Sequence, residues 1–95
     1  MSAQDRATSH AARRMQQRGI PPIINEWLDR FGQENHDGRG AVIVWFSKQS
    51  RRAMEREFGR EPVRRMADKL RAYRVEDTAD GSIITCGYRT KHIRR

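Results

Sequence analysis

The chain has 95 residues, a formal net charge of +8, 34% charged residues and 36% hydrophobic ones. A chain this short and polar closes one small core, so a multidomain enzyme is excluded, and no apolar run approaches the ~20 residues of a membrane-spanning helix. The polar stretch Met1–His10 lacks the apolar core of a secretory signal, and the lone Cys86 leaves no disulfide framework and no cysteine-based zinc site, which together predict a cytoplasmic protein.

In chain order, the first predicted element is a helix over residues 10–18, capped by Ser9, with Ala11 and Met15 four apart on an inward face. Gly19 ends it. Pro21 and Pro22 suit the first turn of a second helix, whose apolar positions Ile23, Ile24, Trp27, Leu28 and Phe31 recur near the helical period before Gly32 closes it. Residues 33–40 are polar with two glycines and read as a loop or a ragged strand edge. Ala41–Phe46 is short, β-branched and aromatic, the strongest strand in the chain. Its apolar residues fall on both parities, which predicts a central strand covered on both faces.

Ser47 or Ser50 caps a third helical stretch with Ala53, Met54 and Phe58 on its buried side. Gly59 breaks it, Pro62 suits a fresh first turn, and Val63, Met66, Ala67 and Leu70 continue the stripe. Ala72–Asp77 reads as the second strand, Asp80-Gly81 as a hairpin turn, and Ser82–Lys91 as the third strand. In that strand Ile84, Cys86 and Tyr88 are expected on the core side, with Thr85, Arg89 and Lys91 projecting from the other. The expected fold is α+β: two N-terminal helices and a small antiparallel sheet, with a further helical segment between the first strand and a C-terminal β-hairpin. The whole chain, 1–95, forms one domain in this reading, with 1–6 and 93–95 frayed.

The charge is unevenly laid out. Segments 1–18, 51–74 and 89–95 carry net charges of +3, +5 and +4, separated by acidic stretches. Of the 20 basic residues 17 are Arg and 3 Lys. A GC-rich coding sequence produces such a bias; so does use of the planar guanidinium fork, which binds phosphate in a bidentate way. If the three basic segments converge, they form one phosphate-attracting face.

No metal constellation is present: His10, His36 and His92 are far apart and no HxxxH or CxxC pattern exists. No cofactor is expected. The chemistry open to Arg, His, Tyr and Thr without a metal is RNA cleavage, in which the 2′-hydroxyl supplies the nucleophile and the protein supplies proton transfer and cations on the phosphate. The candidate catalytic residues are His10, Arg18, Tyr88 and Arg89. Histidine titrates near neutral pH, and Arg89 continues a strand whose inner positions are packed. Arg14, Arg52, Arg56, Arg64, Thr85, Lys91, His92 and Arg94 are candidate nucleic-acid contacts. His10, Arg14 and Arg18 are spaced by four on one helical face. Arg52, Arg56, Arg60 and Arg64 are interleaved with Glu55, Glu57 and Glu61, a pattern that suits a solvated helix laced with i,i+4 ion pairs somewhat better than a binding face.

His10-Ala-Ala-Arg-Arg-Met15 followed by Arg18-Gly19-Ile20 resembles the HAxxRMxxRGI opening of a family of small bacterial domains. Those domains are grouped with RelE/ParE-type toxins and the wider barnase–colicin–RelE-like ribonuclease fold. Phe46-Ser-Lys48 with Arg51-Arg52, Glu57–Pro62, Asp80–Thr85 and Gly87-Tyr-Arg89 extend the resemblance over nearly the whole chain. It implies helices followed by a sheet, a toxin-type endoribonuclease that needs no metal, and an antitoxin partner. Where the family is expected to have Gly-His-Arg, this chain has Tyr88, a phenol in place of an imidazole. Three readings follow, each for a monomer or small homo-oligomer: a metal-independent endoribonuclease; a non-catalytic basic nucleic-acid- or ribosome-binding module; and an interaction domain whose Arg surface meets an acidic partner.

Overall fold

The computed structural model describes residues 7–90. Lys91, His92 and Arg94, and the two ends expected to fray, lie outside the described residues. The elements are α1 (Ser9–Gln17), α2 (Pro22–Phe31), β1 (Gln33–His36), β2 (Ala41–Trp45), α3 (Lys48–Phe58), α4 (Arg60–Arg65), a 3₁₀ turn (Lys69–Arg71), β3 (Ala72–Asp77) and β4 (Ile83–Tyr88). The strands form one sheet in the order β1-β2-β3-β4, with every neighbouring pair antiparallel. The expected α+β class and element order hold. No helix among the described residues is long and apolar enough to cross a membrane.

One face of the sheet carries the core. Ala11 and Met15 of α1, Ile24 and Leu28 of α2, Met54 of α3 and Val63 of α4 meet Val44, Phe46, Ala72, Ile83 and Cys86 in one buried cluster. All four α-helices therefore pack on the same side. Strand alternation turns Ile43, Trp45, Tyr73, Val75, Thr85 and Gly87 to the opposite face. β2 is central, as its composition predicts, but its two faces differ: Val42 and Val44 are buried on the helical side, while on the other side Ala41 and Ile43 are half-buried and only Trp45 is buried. At the far end of the helical layer Phe58 stacks on Trp27, with ring centroids 5.2 Å apart, and meets Phe31 edge-on. These contacts tie α3 to α2.

Five expectations are corrected. The α1 cap is Thr8, one residue before Ser9, because its hydroxyl is placed to accept the Ala11 N–H at 3.1 Å. Residues 33–40 begin with a true strand. The Asp37 carboxylate accepts the backbone N–H groups of Arg39 and Ala41 and closes the β1–β2 turn, which pairs polar β1 with β2. Ile23 is 42% exposed, because the inward side of α2 is taken by Ile24, Asn25 and Leu28, with Trp27 and Phe31 packed beside them. The last strand is shorter than Ser82–Lys91, and its alternation breaks. Val75 pairs with Thr85 but Glu76 pairs with Ile83, so Ile84 is an extra residue in a β-bulge. Ile83 is consequently buried with Cys86, while Ile84 is 40% exposed.

The fifth concerns Arg74, one of the charges of the basic middle segment. It is 2% exposed on the helical side of β3. Its Nε donates to Glu76 at 2.5 Å, one terminal nitrogen to the Asn25 carbonyl at 3.0 Å, and the other to Asp29. This guanidinium joins α2 to the sheet and is closed to solvent phosphate. A buried charge tolerates such a site only when paired and hydrogen-bonded.

Candidate nucleic-acid interface

The C-terminal end of β4 is held against the 3₁₀ turn by two bonds. The Arg89 N–H donates to the Arg71 carbonyl at 2.9 Å, and Arg71 Nε donates to the Arg89 carbonyl at 3.1 Å. Between them opens a cleft of about 300 Å³ lined by Asp68, Lys69, Arg71, Tyr88, Arg89 and Thr90. Arg89 and Tyr88, both named from the sequence, lie here. Tyr88 donates its hydroxyl to the Gly19 carbonyl at 3.2 Å, and the Lys69 ammonium reaches the same carbonyl at 3.5 Å while lying 5.5 Å from the Tyr88 ring centroid. The end of α1 thus fixes one wall of the cleft.

Arg89 is half-buried. Its guanidinium lies 5.3 Å from the Trp45 ring centroid, and Nη2 donates to the Phe46 carbonyl at 3.4 Å. Its Nε is buried and has no hydrogen-bond partner among the described residues. Burial, and then the charges of Arg51 and Arg71, push its pKa below the ordinary arginine value. An arginine still ionised at neutral pH, partly desolvated and surrounded by cations, gains most from an incoming anion. Among the described residues no acidic side chain forms an ion pair with Arg51, Lys69, Arg71 or Arg89. Asp68 is the one carboxylate on the cleft wall.

The other candidates fall elsewhere. His10 Nε2 lies 3.4 Å from Thr85 Oγ1, midway along β4, and neither residue lines the cleft. Arg14 and Arg18 sit near Cys86: burial raises the Cys86 thiol pKa, and these two charges partly oppose the rise. Arg18 is exposed at the end of α1, directly before the Gly19 carbonyl that meets Tyr88. Arg52 and Arg56 are exposed on α3 and do not line the cleft. Arg64 grips Glu61, with bonds of 3.2 and 2.5 Å. The structure therefore brings Tyr88 and Arg89 together, sets Arg18 nearby, and leaves His10 with Thr85 apart.

Sequence reading missed Lys69, Arg71 and Arg51. A signal for Arg71 exists in the hairpin register, where pairing continued past Ala72–Tyr88 sets Arg71 beside Arg89. The bulge hides it, since a regular hairpin from the same turn would place Arg71 opposite Tyr88. Among the described residues no group of three or more His, Cys, Asp or Glu is placed to hold a metal. No protein-family model, curated protein or solved structure matches the chain.

Proposed function

We propose that the chain binds single-stranded RNA, seating a backbone phosphate in the Lys69–Arg71–Arg89 cleft. One observation carries this reading: the half-buried Arg89 side chain lines one cleft with Lys69 and Arg71, none of the three forms an ion pair among the described residues, and Asp68 is the sole carboxylate on that wall. A phosphate supplies the negative charge that these three cations lack. Binding of a labelled oligoribonucleotide, followed by anisotropy across a salt series, tests it. The expected result is a steep loss of affinity with salt that is largely removed by Arg89→Ala. Salt-independent binding, or an unchanged Arg89→Ala variant, would refute it.

A second reading, an endoribonuclease of the RelE-like type, is favoured by Tyr88 and Lys69 lining the same cleft as Arg89. In that reaction the ribose 2′-oxygen attacks the adjacent phosphorus and the 5′-oxygen departs with a proton. A 2′,3′-cyclic phosphate remains, and the cations stabilise the charge on the phosphoryl oxygens. His10 is too far along β4 to belong to this site, so proton transfer falls to cleft residues. Cleavage of RNA in the presence of a chelator, with cyclic-phosphate ends, and growth arrest on expression are the expected signs. Intact RNA after prolonged incubation leaves the binding reading alone.

A further inference from the structure

A second basic cleft, of about 260 Å³, lies between α3 and α4 and is lined by Arg51, Glu55, Arg60, Val63, Arg64 and Ala67. It exists because the helix breaks at Gly59, whose φ of 90° is open to glycine and strained for other residues. The break turns α4 back so that Arg60 and Arg64 share a wall with Arg51. Ala67 belongs to this cleft and the next residue, Asp68, to the Arg89 cleft. Arg51 lines the second cleft, and its N–H donates to the Ser47 carbonyl at 3.0 Å, one residue from the Phe46 carbonyl that accepts from Arg89. The two clefts are therefore neighbours that meet at the consecutive residues Ala67 and Asp68.

Inside the second cleft the positive charges outnumber the negative ones. Arg60 reaches Glu55 only at 4.0 Å, with its side chain 91% exposed, and Arg64 is held by Glu61 with 76% of its side chain exposed. The loose Arg60 pair is worth little, and Arg64, though held by Glu61 through two bonds, keeps three quarters of its side chain in solvent, so a phosphate can reach both guanidinium groups. We infer that an RNA strand seated at Arg89 continues past Arg51 into the α3–α4 cleft, where Arg60 and Arg64 take a further phosphate. This rests on the phosphate reading of the Arg89 cleft and adds a direction and a minimum length. The ligand is an oligonucleotide strand, not a mononucleotide or a free phosphate.

The test uses the full chain with fluorescein-labelled oligouridylates from about two to eight nucleotides, titrated at several salt concentrations. For the parent, affinity should rise with length. In the double variant Arg60→Gln/Arg64→Gln the gain from dimer to octamer should disappear, about tenfold, and the octamer salt slope should fall by about 0.7 for each phosphate that is no longer neutralised. Both side chains are exposed, so the fold should persist by circular dichroism, and Arg60→Lys/Arg64→Lys should restore most of the slope. If the glutamine variant keeps the parent's length dependence while Arg89→Ala weakens every length, the continuation is wrong and the first cleft stands. If Arg89→Ala also changes nothing, the reading beneath it falls as well.

Discussion

Arg74 and Arg89 extend from neighbouring strands, and both are drawn out of water. Arg74 is enclosed by Glu76, Asp29 and the Asn25 carbonyl. Arg89 meets one carbonyl, an indole ring and the repulsion of Arg51 and Arg71. Within the same sheet, one guanidinium has its charge answered by the fold and the other does not. Burial alone therefore does not separate a structural arginine from a binding one; the sign of its surroundings does.

The sharpest way to break this contrast is Arg74→Met, which removes the buried guanidinium shared by Glu76, Asp29 and the Asn25 carbonyl. Loss of one partner of a buried pair costs about 3–5 kcal/mol, so urea unfolding should show a large fall in midpoint, with RNA affinity per folded molecule unchanged. Arg89→Ala should behave in the opposite way. Oligoribonucleotide affinity should fall about 10–100-fold, the worth of a charge-assisted hydrogen bond, while stability moves by less than about 1 kcal/mol. A large stability loss at Arg89 would make it a second Arg74.

Acid sharpens the contrast on the carboxylate side. Backbone N–H groups, Ser82 first for Asp80 and Arg39 first for Asp37, hold both exposed carboxyls below their ordinary value. A carboxyl whose folded pKa is depressed contributes stability above its unfolded pKa of about 3.9, and that contribution is lost as pH falls through the folded value. The stability gap between parent and Asp80→Asn should therefore be widest near neutrality and close below about pH 4. His10→Ala is expected to do least. It removes the Thr85 contact midway along β4, and RNA affinity should stay within about twofold. A larger loss would draw the middle of β4 into the site.

Much of the fold was legible because local chemistry and tertiary packing agree. The Ala41–Phe46 run, the Ala72–Asp77 strand, the Ser47 cap and the Gly59 break all follow from propensity and capping. Polar β1 was read only as a possible ragged edge, since its strand geometry depends on β2 and on the Asp37 turn. At the site, Arg89 was legible from its place on the strand. Lys69 and Arg71 were not, because they come within reach of Arg89 only through the hairpin register. His10 is a candidate for its chemistry, a property that says nothing about which residue of β4 it faces.

The extra residue Ile84 also bears on how this hairpin tolerates change. It forms the bulge next to the turn, whereas Tyr88 ends the four regularly paired positions that run from Val75–Thr85 to Ala72–Tyr88, and Arg89 lies just beyond them. Deleting Ile84 would restore a regular ladder with Ile83 still facing Glu76 and Arg89 still beside Arg71. Remodelling of the Asp80-Gly81 hairpin tip is in the same way insulated from the cleft. The bulge works as a phase buffer: turn length can drift on one side while the aim of the arginine on the other stays fixed.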